Sequence, residues 1–285
     1  MSELPFQRIY ARAPNHLGDV VIAIPALRRL AERYPEATLD IWCPYRWAPV
    51  LEMANLPAAV IAFRRTRAIW KTAGRLRHLA YEAAYLFTPS FSTAGVVWLA
   101  GIRERRGTPT DGRSLLLTQR AGGEAESEEH RASFYLRIAD PDWSGGEPPA
   151  PRISVPGEAR DQFRRLVVDR LDRPAVGIFP GSNAPARRWP EGRFTALAAI
   201  LARDVGTLIV FGGPGEEVLA ARLAAAAGRR GIDLGGRTSL RTLAAGLEVC
   251  DLLVTNDSGP MHMAGALGTP VVALFGAGNP KHTGP

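Results

Sequence analysis

The sequence predicts an α/β protein built from two doubly wound, Rossmann-like units, each with a parallel sheet. Short apolar runs of strand length alternate with segments of helical periodicity along most of the 285 residues. Several of the strand-like runs end in turns rich in glycine, asparagine or aspartate, which is typical of ligand-binding crevices in such sheets. Residues 140–157 contain five prolines and three glycines and separate the alternation into two halves.

We therefore predict an N-terminal domain at residues 1–139, a linker at 140–157 and a C-terminal domain at 158–285. The length is sufficient for each domain to bury its own core, and the two domains are expected to face each other across a cleft. The linker contains the acidic pair of Asp140 and Asp142. Because this pair does not follow an apolar strand, we expect no metal site there.

Composition indicates a globular protein with anionic partners. Hydrophobic residues make up 46% of the chain and charged residues 22%, and the formal charge is +7. This positive charge favours a nucleotide, a phosphorylated glycan or an acidic membrane surface as partner. No apolar run reaches membrane-spanning length and the N-terminus lacks a signal-peptide core, so we expect a cytoplasmic location. The two cysteines, Cys43 and Cys250, are predicted to be buried free thiols.

The first half opens with a strand, a turn and a helix, the order that begins a doubly wound unit. Asp19 stands at the start of that helix, after the turn P-N-H-L-G at residues 14–18. It either caps the helix or takes a proton from a hydroxyl group bound at the crevice. Further strands are predicted at residues 39–43, 59–63 and 83–87. Residues 104–128 show no periodicity and are predicted to be an irregular loop.

A basic helical face follows the third strand. The cations Arg64, Arg67, Lys71 and Arg75 recur there at helical spacing, opposite an apolar stripe. The pattern is that of a solvated amphipathic helix. The alternative is a surface that receives a phosphorylated or carboxylated acceptor or lies against anionic lipid.

The second half repeats the alternation, with strands predicted at residues 175–179, 207–211, 232–234, 252–255 and 270–275. The turn N-D-S-G-P-M-H at residues 256–262 joins the last two strands through a short helix. Unpaired N–H groups at the start of that helix would bind an anion, and we predict a diphosphate. The alternative is a capped helix without a ligand.

Polar residues after the other strands of this half are expected at the same edge of the sheet. Ser182 follows the first strand, and Arg187 or Arg188 would reach a phosphate group from the same loop. Glu216 follows the glycine run of the second strand. It either accepts hydrogen bonds from ribose hydroxyls or stabilises the start of the next helix.

Four motifs in this order resemble glycosyltransferase family 9, the bacterial heptosyltransferases of lipopolysaccharide inner-core assembly. They are P-N-H-L-G-D-V-V-I-A-I-P-A-L, P-G-S-N-A-P-A-R-R-W-P-E, G-G-P-G-E-E and N-D-S-G-P-M-H-M-A-G-A-L-G-T-P-V-V-A-L-F-G. The resemblance implies the GT-B fold, with the acceptor bound by the N-terminal domain and an ADP-sugar by the C-terminal domain. It also implies inverting transfer without a metal ion.

The resemblance assigns roles residue by residue. Asp19 matches the general base, and Glu216 matches the ribose contact. The positions that match the donor-phosphate contacts and the donor-binding turn are Ser182, Arg187, Asp257, Ser258, Gly259 and His262. Arg187 replaces the lysine of the family, which preserves the charge but changes the geometry. The family continues with a helical tail after the equivalent of Pro285, so we expect a fragment or a shortened member.

The predicted function is transfer of a heptose or related sugar from an ADP-sugar to a lipopolysaccharide inner-core or similar acidic glycan acceptor. Arg64, Arg67 and Lys71 are predicted to bind that acceptor. No cofactor and no nucleic acid partner are expected, and peripheral contact with the cytoplasmic face of the inner membrane is left open. The alternatives are a nucleotide-sugar epimerase of the same fold and a non-catalytic nucleotide-binding fragment.

Overall fold

The computed structural model describes residues 6–64, 68–121, 129–168 and 170–285. The chain divides into two compact units, Met1–Pro151 and Arg152–Pro285. Each unit contains one parallel sheet, so the predicted α/β class is confirmed. Within the described ranges, no helix is long and apolar enough to cross a membrane.

Six parallel strands form the sheet of the first unit. They are β1 (Arg8–Arg12), β2 (Thr38–Pro44), β3 (Ala59–Phe63), β4 (Ala83–Leu86), β5 (Glu104–Gly107) and β6 (Gln119–Arg120). Their order is β3-β2-β1-β4-β5-β6. Because β1 lies between β2 and β4, the chain reverses its direction of travel across the sheet beside β1, the position where such sheets bind ligands.

Helices flank this sheet: α1 (Leu17–Ile22), α2 (Ile24–Arg33), α3 (Ala48–Met53), α4 (Ile69–His78), α5 (Phe91–Leu99) and α6 (Arg131–Ala139). The apolar sides of α4 and α5 join Tyr10, Trp42 and Leu86 in one buried cluster. Helix α6 packs against both α1 and α2. The contact with α1 matters for the site because α1 is the first helix after β1.

Two predictions for the first unit are wrong in part. The single helix expected after β1 is divided at Ala23, because Pro25 in the first turn of α2 has no N–H group to continue the α1 ladder. Residues 104–128, predicted to be a loop, contain β5, β6 and a short 3-10 helix. Arg105 and Arg106 of β5 donate to the carbonyls of Leu116 and Ile138, so a polar run without apolar periodicity is still held in the sheet.

The second unit repeats the architecture with five parallel strands. They are β7 (Ala175–Phe179), β8 (Thr207–Gly212), β9 (Gly231–Gly235), β10 (Leu252–Asn256) and β11 (Val271–Leu274), in the order β11-β10-β7-β8-β9. These strands match the predicted ones within a residue or two. The helices are α7 (Gly157–Val167), α8 (Glu191–Leu201), α9 (Glu217–Ala226), α10 (Leu240–Val249), α11 (Gly259–Leu267) and α12 (Pro280–Thr283).

Both cysteines are buried free thiols, as predicted. Burial raises the pKa of Cys43 and of Cys250 to about 12, so neither thiol is ionised near neutral pH. Cys250 lies so close to β7 that a Cβ at Gly177 would be 3.0 Å from its sulfur. These side chains therefore belong to the core.

The acidic pair of the predicted linker binds arginines. Asp140 is 2% exposed and its carboxylate accepts from Arg29 at 2.7 Å and from Arg33 at 2.8 Å. Burial raises the pKa of the Asp140 carboxyl, but hydrogen bonds from Arg29 and from the Asp142 backbone outweigh it, and the net pKa lies below its ordinary value. Asp140 thereby joins α2 to the end of α6.

We expect Asp140→Asn to lower the free energy of unfolding by about 2 kcal/mol at pH 7, because it removes the buried carboxylate that pairs with the partly exposed Arg33 (18%) and the half-exposed Arg29 (48%). A carboxyl whose pKa is depressed by folding stabilises above its unfolded pKa of about 3.9, and this contribution is lost as the pH falls through the folded value. The free energies of unfolding in urea of the original protein and of Asp140→Asn should therefore differ at pH 7 and converge near pH 2.

The matched control is Asp142→Asn. Its side chain is 76% exposed and pairs with Arg33 at 2.8 Å. Because solvent screens such a pair, its loss should cost less than about 1 kcal/mol. Equal losses for the two variants, or a difference at position 140 that persists at pH 2, would contradict the stabilising role of the Asp140 carboxylate.

Candidate active site

A hydrogen-bonded turn after β1 sets the start of α1. Arg12 is 5% exposed, lies with its guanidinium 4.7 Å from the centroid of the Phe63 ring, and donates to Asn15 Oδ1 at 2.6 Å. The Trp47 indole donates to the Asn15 carbonyl at 2.8 Å. Side chains from β1 and from the segment before α3 thus fix the turn that precedes Asp19.

Asp19 lies in the first turn of α1 and is partly exposed. The N-cap residue is His16, so the capping alternative for Asp19 is wrong, although a carboxylate in this turn still interacts favourably with the helix dipole. Tyr135 of α6 is buried, and burial, followed by the charge of Asp19, raises the pKa of its phenol well above the ordinary value. The sequence motifs contain no signal for this proximity, because Tyr135 lies far from them along the chain.

Asn256, at the end of β10, joins the loops of the second unit. The side chain is fully buried, donates to the Pro180 carbonyl at 2.6 Å and accepts from the Trp189 backbone N–H at 2.9 Å. Pro180 follows β7, and Trp189 precedes α8. One amide thereby holds together the two ends of the segment that carries Ser182 and Arg187.

Glu216 lies against the end of β7. Its Oε2 accepts from the Gly213 backbone N–H at 2.7 Å. A Cβ at Gly181 would overlap the other carboxylate oxygen, so only glycine leaves room for this approach. The loop after β8 and the loop after β7 therefore meet at one carboxylate.

An ion pair lies at the carboxyl ends of β7 and β10. Arg187 Nε is 3.3 Å from Asp257 Oδ2, with the Arg187 side chain 46% exposed and the Asp257 side chain 2% exposed. The Ser182 hydroxyl donates to the Asp257 carbonyl at 3.3 Å. A Cβ at Gly278 would overlap the Asp257 carboxylate, so the loop after β11 also closes on this pair.

The turn before α11 leaves backbone donors at the helix start. Ser258 is the N-cap residue, but its hydroxyl pairs with the Thr255 hydroxyl at 3.2 Å and makes no cap hydrogen bond. Pro260 has no N–H, so the donors of the first turn are Gly259 and its neighbours. His262, which was also predicted to belong to the donor-binding turn, is 5% exposed within α11.

The structure describes only part of the predicted acceptor face. Arg64 is exposed and its guanidinium lies 5.0 Å from the centroid of the Tyr45 ring. Lys71 is exposed on α4 beside Trp70, which is 71% exposed. Arg67 lies outside the described residues. Arg75 is exposed as well, and its guanidinium lies 4.9 Å from the centroid of the Trp42 ring.

Metal-binding side chains do not cluster in the described ranges. No group of three or more His, Cys, Asp or Glu residues with the geometry of a metal site occurs there. The carboxylates of the candidate site, Asp257 and Glu216, bind an arginine and a backbone N–H instead.

Two doubly wound units with polar loops after their parallel strands are typical of the GT-B class of fold. The model of glycosyltransferase family 9 (heptosyltransferase) matches residues 69–285. The chain belongs to this family. It is therefore a glycosyltransferase, and the alternative of a nucleotide-sugar epimerase is not supported.

Relatives match over almost the whole chain. Lipopolysaccharide heptosyltransferase 2 of Escherichia coli (strain K12) is 29% identical over 303 residues, covering 98% of this chain and 85% of that protein. The structure of E. coli ADP-heptose lipopolysaccharide heptosyltransferase II is similar with a TM-score of 0.86 and 27% identity, covering 98% of this chain and 88% of that one. E. coli heptosyltransferase WaaC with ADP, at 19% identity and a TM-score of 0.70, covers 98% and 90% and shares the fold.

Gly181→Ala should weaken ADP binding at least about tenfold, because the added methyl group displaces the Glu216 carboxylate from the end of β7. Titration calorimetry with ADP measures the affinity directly. Gly192→Ala is the matched control, since its Cβ would meet nothing within 4 Å in α8 and alanine favours a helix. If Gly181→Ala keeps its fold by circular dichroism and binds ADP with unchanged affinity, the assignment of Glu216 to the nucleotide site is contradicted.

Proposed function

We propose that this glycosyltransferase moves a heptose or related sugar from an ADP-sugar to an acidic glycan acceptor of the lipopolysaccharide inner core, with inversion at the anomeric carbon. The observation that carries the proposal is the convergence of Arg187, Glu216 and the start of α11 at one edge of the second sheet. The 29% identity to lipopolysaccharide heptosyltransferase 2 of E. coli supports the choice of donor and acceptor.

The donor diphosphate is proposed to lie between Arg187 and the first turn of α11. When the bond to the anomeric carbon breaks, negative charge develops on the diphosphate, and a cation with free backbone N–H groups stabilises it. Asp257 is an unsuitable direct ligand because a carboxylate repels phosphate. Its ion pair at 3.3 Å instead holds the Arg187 guanidinium at the site.

Glu216 is proposed to bind the ribose. One carboxylate oxygen accepts from the Gly213 N–H, which sets the plane of the group and leaves acceptor lone pairs for the sugar hydroxyls. Ser182 is 7% exposed and its hydroxyl already donates to the Asp257 carbonyl. We therefore assign Ser182 a supporting role in the loop after β7, close to the diphosphate. The cation that contacts the diphosphate is Arg187.

Asp19 is proposed as the general base of a single displacement. The acceptor hydroxyl attacks the anomeric carbon on the face opposite the diphosphate, its proton passes to the Asp19 carboxylate, and the bond to the diphosphate breaks to release ADP. Attack from the opposite face inverts the configuration. Arg187 and the N–H groups of α11 stabilise the negative charge that develops on the leaving diphosphate. For this reason we propose that the transfer needs no metal ion.

The acceptor is proposed to approach the basic residues around α4 at the cytoplasmic face of the inner membrane. A phosphorylated glycolipid presents negative charge, which Arg64, Arg67 and Lys71 complement. The exposed indole of Trp70 is a side chain of the type that occupies membrane interfaces, and anionic lipid attracts nearby cations.

The test is transfer by the purified protein from ADP-heptose to a lipopolysaccharide acceptor that lacks the heptose. We expect ADP release, a product with inverted anomeric configuration by NMR, and an unchanged rate in EDTA. UDP- and GDP-sugars should be poor donors. Conversion of the donor without acceptor, or nucleotide binding without turnover, would overturn the proposal. Asp19→Asn is the catalytic control, and it should retain ADP affinity and lose about 10²- to 10⁴-fold in transfer rate.

Lys71→Glu should raise the KM for the acceptor about tenfold and leave the KM for the donor unchanged, because a charge near an anionic partner contributes about 1 kcal/mol and the change reverses its sign. Steady-state kinetics with each substrate varied in turn separates the two constants. The matched control is Arg165→Glu, which reverses the charge of an exposed cation on α7 in the second unit. Equal effects of the two variants on acceptor KM would exclude a specific acceptor surface at α4.

A further inference from the structure

The helix that carries the proposed general base is short. Helix α1 has six residues, Leu17–Ile22, and Asp19 is the third of them. A helix of this length is not stable by itself, so its direction depends on tertiary contacts. Val20 and Val21 are 0% exposed and anchor its second half in the core. The contacts made before its first residue therefore decide where the Asp19 carboxylate lies.

Two side chains hold Asn15, which lies two residues before α1. The Trp47 indole N–H donates to the Asn15 backbone carbonyl at 2.8 Å, and Arg12 donates to Asn15 Oδ1 at 2.6 Å. That carbonyl belongs to the peptide group that joins Asn15 to His16, the N-cap residue of α1. Because a peptide group is planar, a hydrogen bond to its oxygen restrains the plane from which the helix starts. The Trp47 indole thus restrains the direction of α1.

Trp47 also belongs to the turn after β2, which reaches a proposed acceptor residue. The Trp47 backbone N–H donates to the Pro44 carbonyl at 2.8 Å and closes this turn. Within the turn, the Tyr45 N–H donates to the Phe63 carbonyl at 2.8 Å, and the Arg64 guanidinium lies 5.0 Å from the centroid of the Tyr45 ring. One turn therefore links a proposed acceptor contact to the start of the helix that carries the proposed base.

We propose that Trp47 is a positioning residue, whose indole N–H holds the start of α1 so that the Asp19 carboxylate faces the bound acceptor hydroxyl. The inference rests on the proposed role of Asp19 as general base. The indole itself takes no part in the proton transfer. Without its hydrogen bond the Asn15 peptide plane can rotate and α1 can tilt, which lowers the fraction of bound acceptor in reactive geometry.

The test is a double-mutant cycle in the full chain with Asp19→Asn, Trp47→Phe and the double variant. Phenylalanine keeps an aromatic ring at the turn and removes the N–H donor. We expect Trp47→Phe alone to lower kcat about tenfold, with both KM values within about twofold of the original. In the Asp19→Asn background the same change should alter the residual rate less than about twofold, because a positioning residue acts only through the group that it positions.

Trp42→Phe is the matched control. Trp42 lies in β2, is 3% exposed, and its indole donates to the Tyr81 hydroxyl at 2.9 Å, so the variant also loses one indole hydrogen bond of the first unit. It should lose at least as much thermal stability as Trp47→Phe and retain kcat. If Trp47→Phe does not fold, Asn15→Ala completes the same cycle, because it removes the Arg12 contact of the same turn from a partly exposed position.

The outcomes separate this inference from the proposed function. An equal loss of rate from Trp47→Phe in both backgrounds, or an equal loss of kcat in Trp42→Phe, would show a structural role and overturn the positioning role. Full activity in Trp47→Phe would overturn it as well. Full transfer in Asp19→Asn would overturn the general-base assignment and the positioning role with it. Absence of transfer by the original protein would overturn the proposed function itself.

Discussion

A single buried amide holds together the loops at one edge of the second sheet. Asn256 is fully buried at the end of β10, and an amide in that position must pair both its donor and its acceptor. It does so with Pro180 and Trp189, at opposite ends of one loop. The loop that carries Arg187 is thereby fixed at both ends. This preorganisation matters because a charged group contributes to catalysis only when it already points at the developing charge.

The two units use opposite charge arrangements at the ends of their sheets. In the second unit the buried carboxylate of Asp257 pairs with the half-exposed cation of Arg187, the proposed diphosphate contact. In the first unit the partly exposed carboxylate of Asp19, the proposed general base, lies in the first turn of α1. A cation suits a leaving diphosphate and a carboxylate suits an incoming hydroxyl, so each group has the charge that its proposed role requires.

Most of the fold could be predicted from the sequence because buried parallel strands are nearly continuous apolar runs. The runs at β7 and β10 are of this kind, and both were located within a residue. The exception is β5, where Arg105 and Arg106 replace the apolar pattern. Their guanidinium groups reach backbone carbonyls distant in the chain, and no local rule anticipates such contacts.

The sequence by itself determined the family-like motifs, the two-unit α/β class and the identity of Asp19, Arg187 and Glu216 as candidates. Each of these depends on residues close together in the chain, where turn and helix-start chemistry is local. Only the tertiary structure decided that Asn256 joins Pro180 to Trp189 and that Gly181 admits Glu216. Both contacts join segments far apart in sequence, and their geometry follows from how helices and strands pack, which residue spacing does not encode.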